Sequence, residues 1–109
     1  MTHEHPEHPD AGAELFAAAE RYEQAQPGLG HEFFDRVADA IDAIETYADG
    51  WPPFPGWNRE PVVRTKRTKQ FHYRVVYFVK DGEPVILAYA HESQKPGYWK
   101  RRYDEMSED

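Results

Sequence analysis

The apolar residues of this chain change their period once, across a proline-rich break. Residues 10–48 repeat at helical spacing, and residues 62–91 repeat every second position. Between them, DGWPPFPGWNREP at 49–61 holds four prolines and two glycines. Proline has no N–H to donate and glycine tolerates unusual dihedrals, so neither helix nor strand runs through that segment. The order, helices first and strands after, predicts an α+β fold.

In the helical half, residues 10–26 read as one helix, with Asp10 as N-cap and Glu14 near the positive end of the dipole. Leu15, Ala18, Ala19 and Tyr22 share one face, and Pro27 and Gly28 end the helix. A second helix spans about 29–48. Its apolar stripe is Phe33, Val37, Ala40, Ile41, Ile44 and Ala48, with Asp35, Arg36, Asp39, Asp42 and Glu45 mainly opposite. The short connection predicts an antiparallel hairpin.

In the strand half, residues 62–70 alternate weakly and are rich in Arg and Lys. Residues 71–79 alternate well, with Phe71, Tyr73, Val75, Tyr77 and Val79 on one face. Asp81 and Gly82 supply the strongest short hairpin signal. Residues 85–91 are apolar on both faces, which predicts a central, covered strand after Pro84. The expected sheet is an antiparallel meander with the helical hairpin on one face, and a short polar edge strand at 3–7 is an option. Trp51, Phe54 and Trp57 form either a binding platform or a seal on the core. Their large apolar area favours the seal.

A length of 109 residues fits one domain, 1–109, with 1–9 and 104–109 expected as flexible tails. The absence of cysteine excludes disulfides, thiolate metal sites and a cysteine nucleophile. No apolar run approaches the roughly 20 residues of a membrane span. The first ten residues lack the apolar stretch of a signal peptide. The expectation is a soluble cytoplasmic protein without a membrane role.

The net charge of −7 is unevenly spread. Residues 1–58 carry 2 Lys/Arg against 12 Asp/Glu, and residues 59–103 carry 11 against 4. The basic half either meets an anionic partner or complements the acidic half inside the fold.

Three constellations could carry chemistry. His3, His5 and His8 with Glu4 and Glu7 have metal-ligating side chains, but a terminus interrupted by prolines fixes no geometry, so no metal is expected. Arg64, Lys66, Arg67 and Lys69 alternate along a strand, Arg64 and Lys66 on one side and Arg67 and Lys69 on the other. They either hold phosphates beside stacking aromatics or discourage edge pairing. His91 ends a strand and is placed either as a general acid or base or as a structural histidine. Lys95, Tyr98, Lys100, Arg101 and Arg102 add a basic, aromatic C-terminal segment.

These pieces together resemble the RelE/ParE superfamily of toxins from type II toxin–antitoxin systems, a plasmid-stabilisation family, over residues 10–102. The resemblance rests on Glu14 and Leu15 with Ala18 and Tyr22, and on Gly28, Leu29 and Gly30 with Phe33. It rests further on Val63 and Arg64, and on the alternating run from Phe71 through Tyr73, Val75, Val76 and Tyr77 to Val79. Leu87, Ala88, Ala90 and His91, then Pro96, Tyr98 and Trp99, complete it.

The resemblance implies a helical hairpin on a small antiparallel sheet, a cognate antitoxin in a hetero-oligomer, and no cofactor. It implies action on translation, as a metal-independent, ribosome-dependent mRNA endonuclease, or on DNA topology through gyrase. A weak or inactive toxin that retains antitoxin binding is the third option. The implied catalytic set is Arg64, Lys66, His91 and Tyr98. The implied target-binding set is Arg67, Lys69, Arg74, Gln94, Lys95, Lys100 and Arg101. The chain departs from the family pattern at Ser93 and Gln94, where relatives carry an arginine pair, and at His72, where they carry proline.

Overall fold

A computed structural model describes residues 5–107. Helix α1 is Pro9–Ala25 and helix α2 is Leu29–Thr46. Strands β1 (Arg64–Arg67), β2 (Tyr73–Lys80) and β3 (Glu83–His91) follow, and helix α3 (Lys100–Ser107) closes the chain.

The N-cap of helix α1 lies two residues before the acidic residue that the sequence suggested. Pro9 takes the first helical position, where its missing N–H costs nothing. The N-cap is therefore His8 and not Asp10: its Nδ1 accepts the Asp10 N–H at 3.0 Å. Glu23, near the end of α1, accepts the N–H groups of Gly28 and Gly30 at 2.9 and 3.0 Å, so one helix satisfies the orphan donors of the next. Gly30 is needed there, since a Cβ would stand 2.6 Å from the Ala19 carbonyl. The hairpin is thus closed at its turn by backbone contact.

The sheet is antiparallel in the order β1-β2-β3. The central strand is β2, which corrects the expectation that residues 85–91 would be central. That segment is apolar on both faces because both faces of the sheet are covered. On one face the hairpin packs Ala11, Ala18, Phe33, Val37 and Ile44 against Tyr73, Val75, Tyr77, Ile86 and Tyr89. On the other, Trp99 and Tyr103 pack with Val63, Val76, Phe78 and Leu87, and Phe54 and Trp57 lie against them. The proline-rich loop therefore seals the core, as its aromatic area suggested.

A bulge in β3 makes this double coverage possible. Val76 pairs with Ala88 but Tyr77 pairs with Ile86, leaving Leu87 as the extra residue. Adjacent Leu87 and Ala88 consequently share the second core, and Tyr89 returns to the hairpin side.

The ends of the described chain are not loose tails. The Ile86 N–H donates to the Pro6 carbonyl and the His8 N–H to the Ile86 carbonyl, both at 2.9 Å, so residues 6–8 cover the outer edge of β3. Residues 104–107 belong to α3, whose Tyr103 is buried. Strand β1 is four residues long, shorter than the 62–70 run. Its chain turns back through Gln70 and His72, both in the left-handed region at φ 74° and 57°. The β2–β3 turn is built as Asp81 and Gly82 predicted, both at positive φ.

Candidate functional site

On the sheet face away from the hairpin, α3 covers only part of the surface. The uncovered part is a groove of about 620 Å³. Thr65, Arg74, Val76 and Ala90 form its floor, residues 52–55 one wall, and residues 94–99 the other. Trp99, 2% exposed, anchors the second wall from below.

Cross-strand partners share a face, so register fixes which cations reach this groove. Arg67 stands opposite Arg74 on the groove side, whereas Arg64 and Lys66 stand opposite Tyr77 and Val75 on the hairpin side. The alternation read from sequence holds for Arg64, Lys66 and Arg67, which it divides between two faces, but not for Lys69, which lies beyond the end of β1.

Arg64 donates to the Trp51 carbonyl at 2.8 Å, and Lys66 sits 4.5 Å from the Trp51 ring centroid and donates to the Arg67 carbonyl. Arg67 pairs with Glu92 at 3.3 Å, which relieves its repulsion with Arg74. Lys69 lies with Lys66 and Arg67 on a neighbouring depression. Lys100 and Arg101 occupy the exposed first turn of α3.

Five of the sequence candidates do converge: Arg74, His91, Gln94, Lys95 and Tyr98 all line the groove. Among the described residues, Arg74 and Lys95 have no carboxylate partner within 4 Å. They are the cations left to meet an anionic guest.

His91 and Tyr98 are held differently. The Ser93 N–H donates to His91 Nδ1 at 3.0 Å, and Ser93 Oγ lies 2.7 Å from the same atom. A backbone N–H can only donate, so Nδ1 accepts and the neutral ring carries its hydrogen on Nε2. Ser93 thus orients His91. The Tyr98 hydroxyl donates to Glu14 Oε2 at 2.7 Å. Burial, and then that hydrogen bond, hold the phenol well above the usual tyrosine range. Its proton is directed into the fold and not into the groove.

Glu14 and Arg102 were not assigned to any site by sequence reasoning, yet they brace it. Arg102 contacts both Glu14 oxygens at 3.0 Å and also donates to the Leu87 carbonyl at 3.1 Å. The Tyr89 N–H donates to Glu14 Oε1 at 3.2 Å. An acidic residue six positions into an amphipathic helix gives no sign that it will meet an arginine 88 residues later.

Of the proposed metal cluster, His3 and Glu4 lie outside the described residues. His5 Nε2 is 2.8 Å from Glu45, and His8 Nε2 donates to Glu105 at 2.6 Å. The Tyr89 hydroxyl donates to Glu7 at 2.6 Å. These contacts serve the fold, and no group of three metal-ligating side chains comes together among the described residues. No described helix is long and apolar enough to cross a membrane.

No family model matches this chain, and neither a curated protein nor a solved structure does.

Proposed function

We propose that this chain is the toxin of a type II toxin–antitoxin pair, of RelE/ParE kind, and that it acts in the cytoplasm by binding its target. Three of the four residues expected to carry catalysis are engaged elsewhere: Arg64 with the Trp51 carbonyl, Lys66 with Trp51 and the Arg67 carbonyl, and Tyr98 with Glu14. That observation favours docking over bond cleavage, and gyrase over mRNA.

The groove cations Arg74 and Lys95 are the docking charges. Proline and aromatic walls next to two unpaired cations suit an acidic, partly apolar segment. A cognate antitoxin would supply such a segment and shield the groove.

His91 supports a second reading. Its Nε2 is not engaged within the described fold, and the residue lines the groove with Arg74 and Lys95. One proton-transfer group beside two cations is a minimal set for attack of a ribose 2′-OH on its phosphate.

Two assays separate the readings. A gyrase supercoiling assay with the purified chain should be inhibited under the docking reading. Primer extension after in-vitro translation should show new ribosome-dependent stops only under the second. Silence in both assays, with normal growth on expression without a partner, removes toxin activity altogether.

A further inference from the structure

The outer face of the helical hairpin presents an apolar stripe with an acidic end. Ala13, Phe16, Ala17, Glu20 and Glu23 follow at helical spacing along α1, and all five are exposed. Phe16 is 67% exposed, and Phe34 of α2 meets its ring edge-on at 5.7 Å between centroids. A shallow depression of about 660 Å³ joins Phe16, Ala17 and Phe34 to Glu20, Glu23 and His31.

Charge limits what can cover this stripe. Glu20 and Glu23 have no Lys or Arg within 4 Å among the described residues, and Glu23 accepts the Gly28 and Gly30 N–H groups. A second hairpin laid on the first about a twofold axis would bring these carboxylates face to face, which is repulsive. The complement lies on the other side of the sheet. There the groove carries exposed Pro52, Pro53 and Pro96 in its walls, and Arg74 and Lys95 without a carboxylate partner. The carboxylate at its mouth, Glu92, is already held by Arg67 at 3.3 Å. Stripe and groove lie on opposite faces of the molecule, so one chain cannot join its own pair.

We infer that the groove of one copy takes the Phe16 stripe of another, with Phe16 between the proline walls and Glu20 and Glu23 against Arg74 and Lys95. The inference rests on the docking reading of the groove and adds its regulation: at high concentration the chain masks its own docking charges. Each copy offers one stripe and one groove, so the contact is head-to-tail and open-ended, not a closed dimer. An interface on the order of 1,000 Å² belongs to the weak, reversible class.

Sedimentation velocity of the full chain over a concentration series tests this. At low salt the weight-average sedimentation coefficient should climb without levelling at a dimer. A roughly tenfold rise in salt should weaken association at least about fivefold. Phe16→Lys/Glu20→Lys removes the stripe and Arg74→Glu/Lys95→Glu removes the groove charges, all at exposed positions, so each variant alone should be monomeric. Mixed in equal amounts, the two should form a heterodimer and stop there, because one intact stripe meets one intact groove. A wild type that stays monomeric, or a mixture that does, overturns the inference. So does association that ignores salt or survives Arg74→Glu/Lys95→Glu, which would place hairpin on hairpin. The gyrase assay separates the two readings. Inhibition by a chain that stays monomeric overturns the self-masking alone, and self-association as described without inhibition overturns the docking to gyrase alone.

Discussion

Glu14 in the second turn of α1 and Arg102 in α3 meet through two hydrogen bonds of 3.0 Å, in a pair whose side chains are 21% and 15% exposed. Between them they hold the hairpin, the bulge of β3 and the turn before α3 in one arrangement. Removing one member leaves a poorly solvated charge without its partner. Glu14→Ala should therefore cost about 3 kcal/mol of unfolding free energy. Urea denaturation of Glu14→Ala, Arg102→Met and the double variant measures it. The double variant should lose clearly less than the two single losses added, and strict additivity would show that the pair is not coupled.

The buried phenols set an alkaline limit. Burial raises Tyr77 to about 12, opposed by the nearby Arg64 charge, and its hydroxyl donates to the Ala48 carbonyl. Tyr89 and Tyr98 are raised further, first by burial and then by Glu7 and Glu14 respectively. Unfolded, each would ionise near the ordinary value of about 10. A raised folded-state value means stabilisation present in full below that pH and lost as pH climbs toward the folded value. Unfolding free energy should therefore fall between about pH 10 and 12, and Tyr77→Phe should make the fall shallower. An equally steep fall in Tyr77→Phe would contradict this.

The second core should be as necessary as the first. Trp99 is 2% exposed and packs against Phe54 and Trp57 at centroid distances of 4.9 and 5.9 Å. Trp99→Ala should cost about 3–5 kcal/mol, because the cavity lies between two rigid layers. Loss of α3 amide protection in hydrogen exchange should accompany it, since Tyr103 shares that core.

Arg64 and Arg74 should respond in opposite ways. Arg64 is bonded to the Trp51 carbonyl, so Arg64→Ala should lower stability by about 1–2 kcal/mol while leaving target binding intact. Arg74→Ala removes an unpaired groove cation and should leave stability within about 0.5 kcal/mol. Its target affinity should drop about tenfold. Binding isotherms and urea melts on the two variants check both halves.

Much of the fold was legible because its signals are local. The Asp81 and Gly82 turn, the stripe from Phe33 to Ile44 and the alternation of Tyr73, Val75 and Tyr77 each lie within a few residues. The errors came from long-range effects. The apolar run that became β3 suggested a central strand, but it is an edge covered by residues 6–8 and by layers on both faces. Helix α3 is mostly charged, and its one deep anchor, Tyr103, gives no period to read.

The groove was half legible. Arg74, His91, Gln94, Lys95 and Tyr98 were each singled out from the sequence, in two separate sets, and the groove brings these five together. Sequence placed Arg64 and Lys66 together but could not say which face of the sheet would receive them, because that depends on register with β2. The engagement of Tyr98 by Glu14 joins residues 84 apart, and nothing local encodes it.

The central claim is that this molecule works by docking through Arg74 and Lys95. It is tested most directly by supercoiling of relaxed plasmid by purified gyrase in the presence of the chain. Wild type should block supercoiling, and the Arg74→Ala/Lys95→Ala variant should require at least about tenfold more protein to do so. Complete supercoiling in the presence of excess wild-type chain would contradict the claim.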